Sequence, residues 1–464
     1  MIVFGTDGWR GVIARDFTFE NVQLVALATA HYALKLNKKA SVVIGYDARF
    51  LSKEFAEEAA CVMASKGVTV HITDSISSTP QVSFATKQKK ATLGVVITAS
   101  HNPAEYNGYK LKSNTGGPAF PEQIAELEKE LAAIEKKRPA IKFKTFDEYL
   151  KDKTIRLFGA KESYLRYLKR KIDMKTIQKA NLNVLYDPMH GAGIDTIKEL
   201  LPNADEIHGE FNPSFGEIDH PEPMAEYLPH LIEKVREGNY DVGLATDGDA
   251  DRLGAVDEEG NFVDSHKVFM LLMKYLYEDK KKRGAVAKTI ALTSMVNKYC
   301  EKHGIKLYEL PIGFKYVSKL MATEKILIGG EESGGLGTIV HIPERDGLFN
   351  GMLLLEMMVT RKKSLKQLVA ELEQEFGAHR YRRRDYRTTD KHKQEVLKAC
   401  AKQPKQLGRH KVLSVDTTDG YKFHVDKGWL LIRASGTEPL LRYYAEADSM
   451  TKVNELLEEG LKMK

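Results

Sequence analysis

The stretch VVITASHNPAEYNGYK, residues 95–110, runs an apolar, β-branched segment directly into a polar loop. Residues 93–98 predict a buried strand, because a short unbroken apolar run bounded by turn residues suits a sheet covered on both faces. Its end carries a hydroxyl, an imidazole, an amide and a proline (Ser100-His101-Asn102-Pro103), with Lys110 further on. In α/β proteins ligands collect beyond the carboxyl ends of strands, so this strand end is where a site is expected.

Working outward, helix and strand alternate. Helical spacing over 17–36 precedes a β-branched run over 41–46, a helix over 53–65 and a strand over 68–72. That alternation predicts a largely parallel sheet covered by helices. The charged stretch 122–144 opens as a helix after Pro121 and passes into linker-like sequence. A second unit has strands over 183–186 and 241–245, with a helix over 224–237 between them. A third has strands over 290–293 and 326–329. From about residue 377 the pattern changes to short strands over 411–415, 422–425 and 429–433, joined by turns, before a final helix over 451–462. The expected division is 1–150, 151–257 and 258–372 as α/β domains, and 373–464 as an α+β domain.

Length and composition agree with several cores. The chain has 464 residues, 42% hydrophobic and 29% charged, which is ordinary for a soluble globular protein. The N-terminal MIVFGTDGWRG is broken by Asp7 and Arg10, so neither a signal peptide nor a membrane span is expected. Cys61, Cys300 and Cys400 lie far apart without a Cys-x-x-Cys pair, which points away from disulfides and zinc and toward a cytoplasmic location. A net charge of +6 suits anionic small molecules without requiring nucleic acid. The one dense basic run, 380–387, alternates with tyrosines and reads as an exposed strand.

Four loops carry the chemistry. At the first, Ser100 reads either as a turn-former or as a nucleophile, with Lys110 to stabilise an anion and His101 to move a proton. The second, 246–252, places Asp247, Asp249 and Asp251 at alternate positions, where three carboxylates repel one another unless a cation joins them. A calcium loop is a poor match, since its sixth position is Arg252 and not glycine, and Leu253 resumes a strand. Hard oxygen ligands and room for a phosphate oxygen point to Mg²⁺. The third, 329–335, offers Glu331, Glu332 and Ser333 among glycines to a polyhydroxylated ligand. The fourth, 433–439, reads either as a hairpin turn or as an anion cradle. In the second reading Arg433, Arg442, Ser435 and Thr437 surround the backbone N–H groups at Gly436.

Together with FGTDGWRG (4–11), the segments TASHNP (98–103), DGDADR (247–252), GEESGG (330–335) and RASGTEP (433–439) resemble, in order and over essentially the whole chain, the α-D-phosphohexomutase family. The resemblance implies three related α/β domains and a C-terminal α+β domain around a central cleft. It implies that phosphorylated Ser100 donates its phosphoryl group to a hexose phosphate and recovers another from a reoriented 1,6-bisphosphate. Asp247, Asp249, Asp251 and the Ser100 phosphate would hold Mg²⁺. Arg10, His101, Lys110 and Arg252 would surround the reacting phosphate, with Lys110 as general base or acid. Glu331 or Glu332 with Ser333 would read sugar hydroxyls, Glu332 and Ser333 being favoured by position. Lys315 would contact substrate, and Arg433, Ser435, Gly436 and Thr437 would clamp the distal phosphate.

Glucose phosphate is the expected substrate, with mannose phosphate also accepted and glucose 1,6-bisphosphate as activator. Departures bear on that choice. Gly334-Gly335 leaves empty a place where several members carry a histidine or aromatic residue, and Glu331-Glu332-Ser333 differs from the Glu-Gln-Ser of the glucosamine enzymes. Phosphopentomutases share a TASHNP-x-x-x-NGYK stretch, so ribose phosphate stays open. The remaining rivals are a metal-dependent sugar phosphatase and a non-catalytic sugar-phosphate-binding protein. The expected assembly is a monomer or homodimer, with neither nucleic acid nor membrane as partner.

Overall fold

The computed structural model describes residues 2–5, 7–434 and 440–463. Two compact units emerge, one built from 1–285 with 313–368 and the other from 286–312 with 369–464.

The first unit contains a six-stranded mixed sheet in the order Trp9–Val12, Tyr106–Lys112, Leu93–Ile97, Ser41–Tyr46, Thr69–Thr73, Ile155–Phe158. Its last four strands run parallel; the first two are antiparallel additions. Strand alternation sends Val42, Ile44, Val70, Ile72, Val95 and Ile97 into a core with the helices Phe19–Leu36, Ser52–Ser65 and Pro121–Lys137. Val43 and Val96 face the other way, onto Val82 and Ala85 of the helix Thr79–Gln88. Residues 93–97 are therefore buried on both faces, as the unbroken apolar run predicts. A five-stranded mixed sheet follows, in the order Phe262–Val263, Leu253–Asp257, Val242–Thr246, Val184–Asp187, Asp205–Glu206. In the same unit Ile326–Gly330 pairs antiparallel with Leu336–Thr338.

The second unit is built on an antiparallel sheet, Arg380–Arg387, Leu440–Ala447, Gly428–Ala434, Tyr421–Val425, His410–Asp416, Gln406–Leu407. Leu430 and Ile432 join Val396, Val453 and Leu456 in one core. Trp429 and Leu431, on the opposite face, join Ile290, Ala291 and Ile312 in another.

Two expected elements change. The strand expected at 290–293 is Ala285–Thr289, parallel to Leu307–Leu310. Its Lys288 disguises it in the sequence. The ammonium is fully buried, 3.2 Å from the carbonyls of Leu292 and Thr293 and 3.2 Å from Glu309 Oε1. The apolar Ile290-Ala291-Leu292 forms the turn that supplies one of those acceptors. The helix expected over 224–237 divides into a 3₁₀ turn, Ala225–Tyr227, and a helix, Pro229–Glu237, because Pro229 has no N–H to continue a preceding helix and is preset for a first turn. The basic run 380–387 is a strand. Arg382 Nη1 donates to Asn454 at 2.9 Å and Arg384 Nη1 to Glu458 at 2.5 Å. Among the described residues no helix is long and apolar enough to cross a membrane.

Gly45 shows how closely the first sheet is packed, since a Cβ there would sit 2.3 Å from Val82 Cγ2. Gly45→Ala should cost about 1–3 kcal/mol through overpacking. Thermal unfolding should show the loss, with Val82→Ala restoring part of it in the double variant; additive losses would refute the steric explanation.

Candidate active site

Ser100 lies just past the strand Leu93–Ile97 with φ +56°, in the left-handed region that is costly for a residue bearing a Cβ. Its backbone is held there by Arg49. Arg49 Nη2 donates to the carbonyls of Ser100 (2.7 Å) and Asn102 (2.5 Å), and Nη1 to those of Pro103 (2.7 Å) and Tyr106 (3.0 Å). Asp47 lies 3.3 Å from Arg49 Nε and supplies the counter-charge for this buried guanidinium. Thr98 Oγ1 accepts the Ser100 N–H at 2.9 Å. The side chain is not a surface hydroxyl: Ser100 is 1% exposed, and its Oγ donates to Asp247 Oδ2 at 2.9 Å. His101 Nδ1 is 3.3 Å from the same Oγ. Arg10, on the strand Trp9–Val12, donates to Asn102 Oδ1 at 2.5 Å.

The carboxylate loop joins the strands Val242–Thr246 and Leu253–Asp257. Its three aspartates are fully buried and offer oxygens within 4.8 Å of one another. The protein engages both oxygens of Asp247 but only one oxygen each of Asp249 and Asp251. Asp247 Oδ1 accepts the N–H groups of Asp251 (2.9 Å) and Arg252 (3.0 Å), leaving Oδ2 to Ser100. Asp249 Oδ2 accepts from Lys110 Nζ at 2.7 Å and from Thr79 Oγ1. Asp251 Oδ2 accepts from Lys110 Nζ at 3.1 Å and from Arg345 Nη2 at 2.6 Å. Asp249 Oδ1 and Asp251 Oδ1 have no hydrogen-bond partner although both are buried. Two orphaned anionic oxygens beside Asp247 Oδ2 form a hard, all-oxygen donor set, and that fits a divalent cation such as Mg²⁺.

The electrostatics follow from this packing. Burial and the neighbouring charges of Asp249 and Asp251 push the Asp247 carboxyl well above the usual range. Burial also disfavours a charged Asp249, but Lys110 outweighs it and holds that carboxyl below its ordinary value. Lys110 is 3.0 Å from Asp7 as well, and Asp249, Asp251 and Asp7 overcome its own burial to hold the ammonium well above the usual lysine value. Arg252 pairs with Glu222 and lies 3.9 Å from Asp247 Oδ2.

The third loop meets the second through the backbone. Leu253 N–H donates to the Gly334 carbonyl at 3.2 Å, and Arg252 and Gly335 form an isolated bridge. Gly334, at φ +92°, would bring a Cβ 2.9 Å from the Leu253 carbonyl. Glu331 is buried 3.3 Å from Arg345 Nη1, and burial, opposed by Arg345, pushes its carboxyl up to about 7. Glu332 and Ser333 are half-buried, and the Glu332 carbonyl accepts from Ser265. Lys315 is half-buried on the helix Phe314–Thr323, with Nζ 5.6 Å above the Tyr316 ring.

The first unit thus assembles Arg10, Ser100, His101, Lys110 and the three aspartates with Arg252 and Glu331. In the second unit Arg433 and Arg442 stand opposite each other on neighbouring strands. Arg433 Nε donates to Asp419 at 2.8 Å, and Arg442 Nε lies 3.5 Å from Asp385. Ser435, Gly436 and Thr437 lie outside the described residues. Sequence reading missed Arg49, Thr79 and Arg345. None belongs to the loop it supports, and only the placement of Arg49 just beyond the strand Ser41–Tyr46 gave a positional hint.

Comparison with known proteins agrees with this geometry. The four domain patterns of the phosphoglucomutase/phosphomannomutase family match in order: α/β/α domain I over 1–138, domain II over 162–260, domain III over 264–376 and the C-terminal domain over 360–462. A phosphoglucomutase/phosphomannomutase of Thermococcus kodakarensis is 31% identical, covering 99% of this chain and 98% of its own. The phosphoglucosamine mutase of Bacillus subtilis is also 31% identical, covering 98% and 96%. A crystal structure from Thermus thermophilus, provisionally named a phosphomannomutase, superposes with a TM-score of 0.85 at 32% identity, covering 99% and 98%. The chain belongs to the phosphoglucomutase/phosphomannomutase family of the α-D-phosphohexomutase superfamily and is an enzyme of the isomerase type that moves a phosphoryl group within its substrate.

Arg49→Met would strand the Asp47 carboxylate and four carbonyl oxygens. Thermal unfolding should show a loss of roughly 3–5 kcal/mol, the scale of an unpaired buried charge. Adding Asp47→Asn should recover part of it; a loss near zero would show that Arg49 does not hold the loop.

Proposed function

We propose that the enzyme interconverts the 1- and 6-phosphates of a hexose, glucose phosphate foremost and mannose phosphate also accepted, using phosphorylated Ser100 as carrier. The observation that carries this reading is the Ser100 hydroxyl bonded to Asp247, beside the two orphaned oxygens of Asp249 and Asp251. Phosphoryl transfer requires in-line placement and charge neutralisation above all, and a fixed hydroxyl beside a cation-ready carboxylate cluster supports that reading.

Asp247, Asp249 and Asp251 would hold Mg²⁺, which neutralises charge on the transferring phosphate. Arg10 and Arg252 place guanidinium groups beside the Ser100 loop and Asp247, respectively. Lys110, held as the ammonium by its three carboxylate neighbours, keeps Asp249 and Asp251 oriented and places a fixed positive charge beside the Ser100 loop; the role of general base or acid stays with it as a proposal. His101 stands close enough to Ser100 Oγ to exchange a proton with it. Glu331 or Glu332 with Ser333 would bind sugar hydroxyls; a carboxyl near 7 at Glu331 can donate as well as accept. Lys315 is a further substrate contact. Arg433, Arg442, Ser435, Gly436 and Thr437 would hold the phosphate that is not reacting, and glucose 1,6-bisphosphate would prime Ser100. The four functional loops fall one to each of the segments 1–150, 151–257, 258–372 and 373–464, which we take as its domains.

The curated relatives include both glucose/mannose and glucosamine mutases, so glucosamine phosphate is the second substrate to try, followed by ribose phosphate. With Mg²⁺ and a trace of glucose 1,6-bisphosphate, glucose 1-phosphate should yield glucose 6-phosphate without release of free phosphate, faster than glucosamine 1- or ribose 1-phosphate reacts. Steady phosphate release would mean a phosphatase, and a faster glucosamine reaction would reassign the sugar. Ser100→Ala should abolish turnover at a cost of about 1–3 kcal/mol in thermal unfolding, the loss of the buried bond to Asp247; turnover retained in that variant would refute the carrier role. Arg433→Ala should raise KM about tenfold or more from both the 1-phosphate and the 6-phosphate, since a lost charge-assisted bond is worth about 1.5–3 kcal/mol. A loss confined to one direction would mean two separate phosphate clamps.

A further inference from the structure

Arg345 has no part in the reaction as described, yet its buried guanidinium reaches both the cation loop and the sugar loop. Nη2 donates to Asp251 Oδ2 at 2.6 Å and to Asp7, and Nη1 to Glu331 Oε2 at 3.3 Å. We propose that Arg345 is a positioning residue that couples divalent-cation binding at Asp251 to sugar-hydroxyl binding at Glu331, an inference that rests on the roles given to those two loops above.

The shape of the side chain supports it. A guanidinium is a planar fork, charged at any working pH, and can hold two carboxylates at fixed angles as an ammonium cannot. Its stem is held by the sugar loop itself: a Cβ on Gly335 would lie 2.3 Å from Arg345 Cδ. Gly335 is thus the space through which Arg345 passes. The guanidinium carbon also lies 5.4 Å above the ring of Phe314, beside Lys315.

The coupling follows from shared charge. By holding Asp251 Oδ2, Arg345 leaves Oδ1 without a partner. Negative charge that Asp251 gives to a cation at Oδ1 is withdrawn from the guanidinium, which then interacts more strongly with Glu331. A Glu331 so held is oriented toward a sugar hydroxyl, and by linkage a bound sugar strengthens cation binding by the same factor. The backbone contacts between the loops, at Leu253–Gly334 and Arg252–Gly335, carry no such charge.

The test uses the full chain with Ser100→Ala, which blocks turnover, and Mn²⁺ as a paramagnetic probe. Mn²⁺ affinity is measured with and without saturating glucose 6-phosphate, and glucose 6-phosphate affinity with and without Mn²⁺. Each ligand should tighten the other by the same factor, about tenfold and within the usual range for coupled sites. Adding Arg345→Gln should lower that factor at least threefold while both ligands still bind separately. Arg345→Lys should fall between, having the charge but not the fork. Direct contact between cation and phosphate would survive these changes, so only the difference measures Arg345. Should Arg345→Gln fail to fold, Gly335→Ala, which displaces the stem, carries the same expectation. Equal coupling with and without Arg345, or none in the reference protein, would overturn the proposal. Failure of the reference protein to bind either ligand would instead overturn the proposed function.

Discussion

Three carboxylates spaced two residues apart cannot share a buried loop unless positive charge is packed among them. At 4 Å and an effective dielectric near 20 each like-charge pair costs about 4 kcal/mol before desolvation is counted. The protein meets this with Lys110 and Arg345, both buried, and a further carboxylate, Asp7, is bridged by the same two cations. Asp7 comes from the N-terminal segment, Lys110 from an edge-side strand of the first sheet, and Arg345 from the segment after the sugar loop. A balance of charge around three aspartates therefore fixes where distant parts of the first unit must meet.

The same network decides how the aspartates are presented. Engaging only Oδ2 of Asp249 and of Asp251 leaves their Oδ1 atoms as orphans, and orphaned buried anions are costly. A bound cation relieves that cost, so the protein-side hydrogen bonds prepare the site by making the cation-free arrangement unfavourable. Lys110 and Thr79 accordingly matter through orientation as much as through charge.

What the sequence discloses depends on whether a feature is contiguous. The strand 93–97, the three aspartates, the glycine-rich acidic loop and the basic strand 380–387 are each written in a few neighbouring residues, and the structure forms each where it is read. Arg49, Thr79 and Arg345 are single residues whose meaning comes only from contacts with loops 51, 170 and 94 positions away. The misplaced strand at 290–293 has the same origin. Lys288 looks solvent-facing until the fold supplies the carbonyls of Leu292 and Thr293 and the carboxylate of Glu309. The chain also states its family through five motifs, yet the sugar stays open, because a stereochemical difference at one hydroxyl needs only one or two contacts and no distinctive run of residues.

Ser100 shows why preorganisation is built into the scaffold and not left to the substrate. A serine at φ +56° stores strain of about 1–3 kcal/mol, which persists only where surrounding structure over-determines it. Arg49 does so through four carbonyl acceptors, and each charge-assisted bond is stronger than a neutral one. The loop's conformation thus depends on a residue that touches no reacting atom, and the hydroxyl is delivered to Asp247 already aimed. A more relaxed backbone would require each turnover to pay the ordering entropy again, so strain held by Arg49 is a standing cost that keeps the carrier in place.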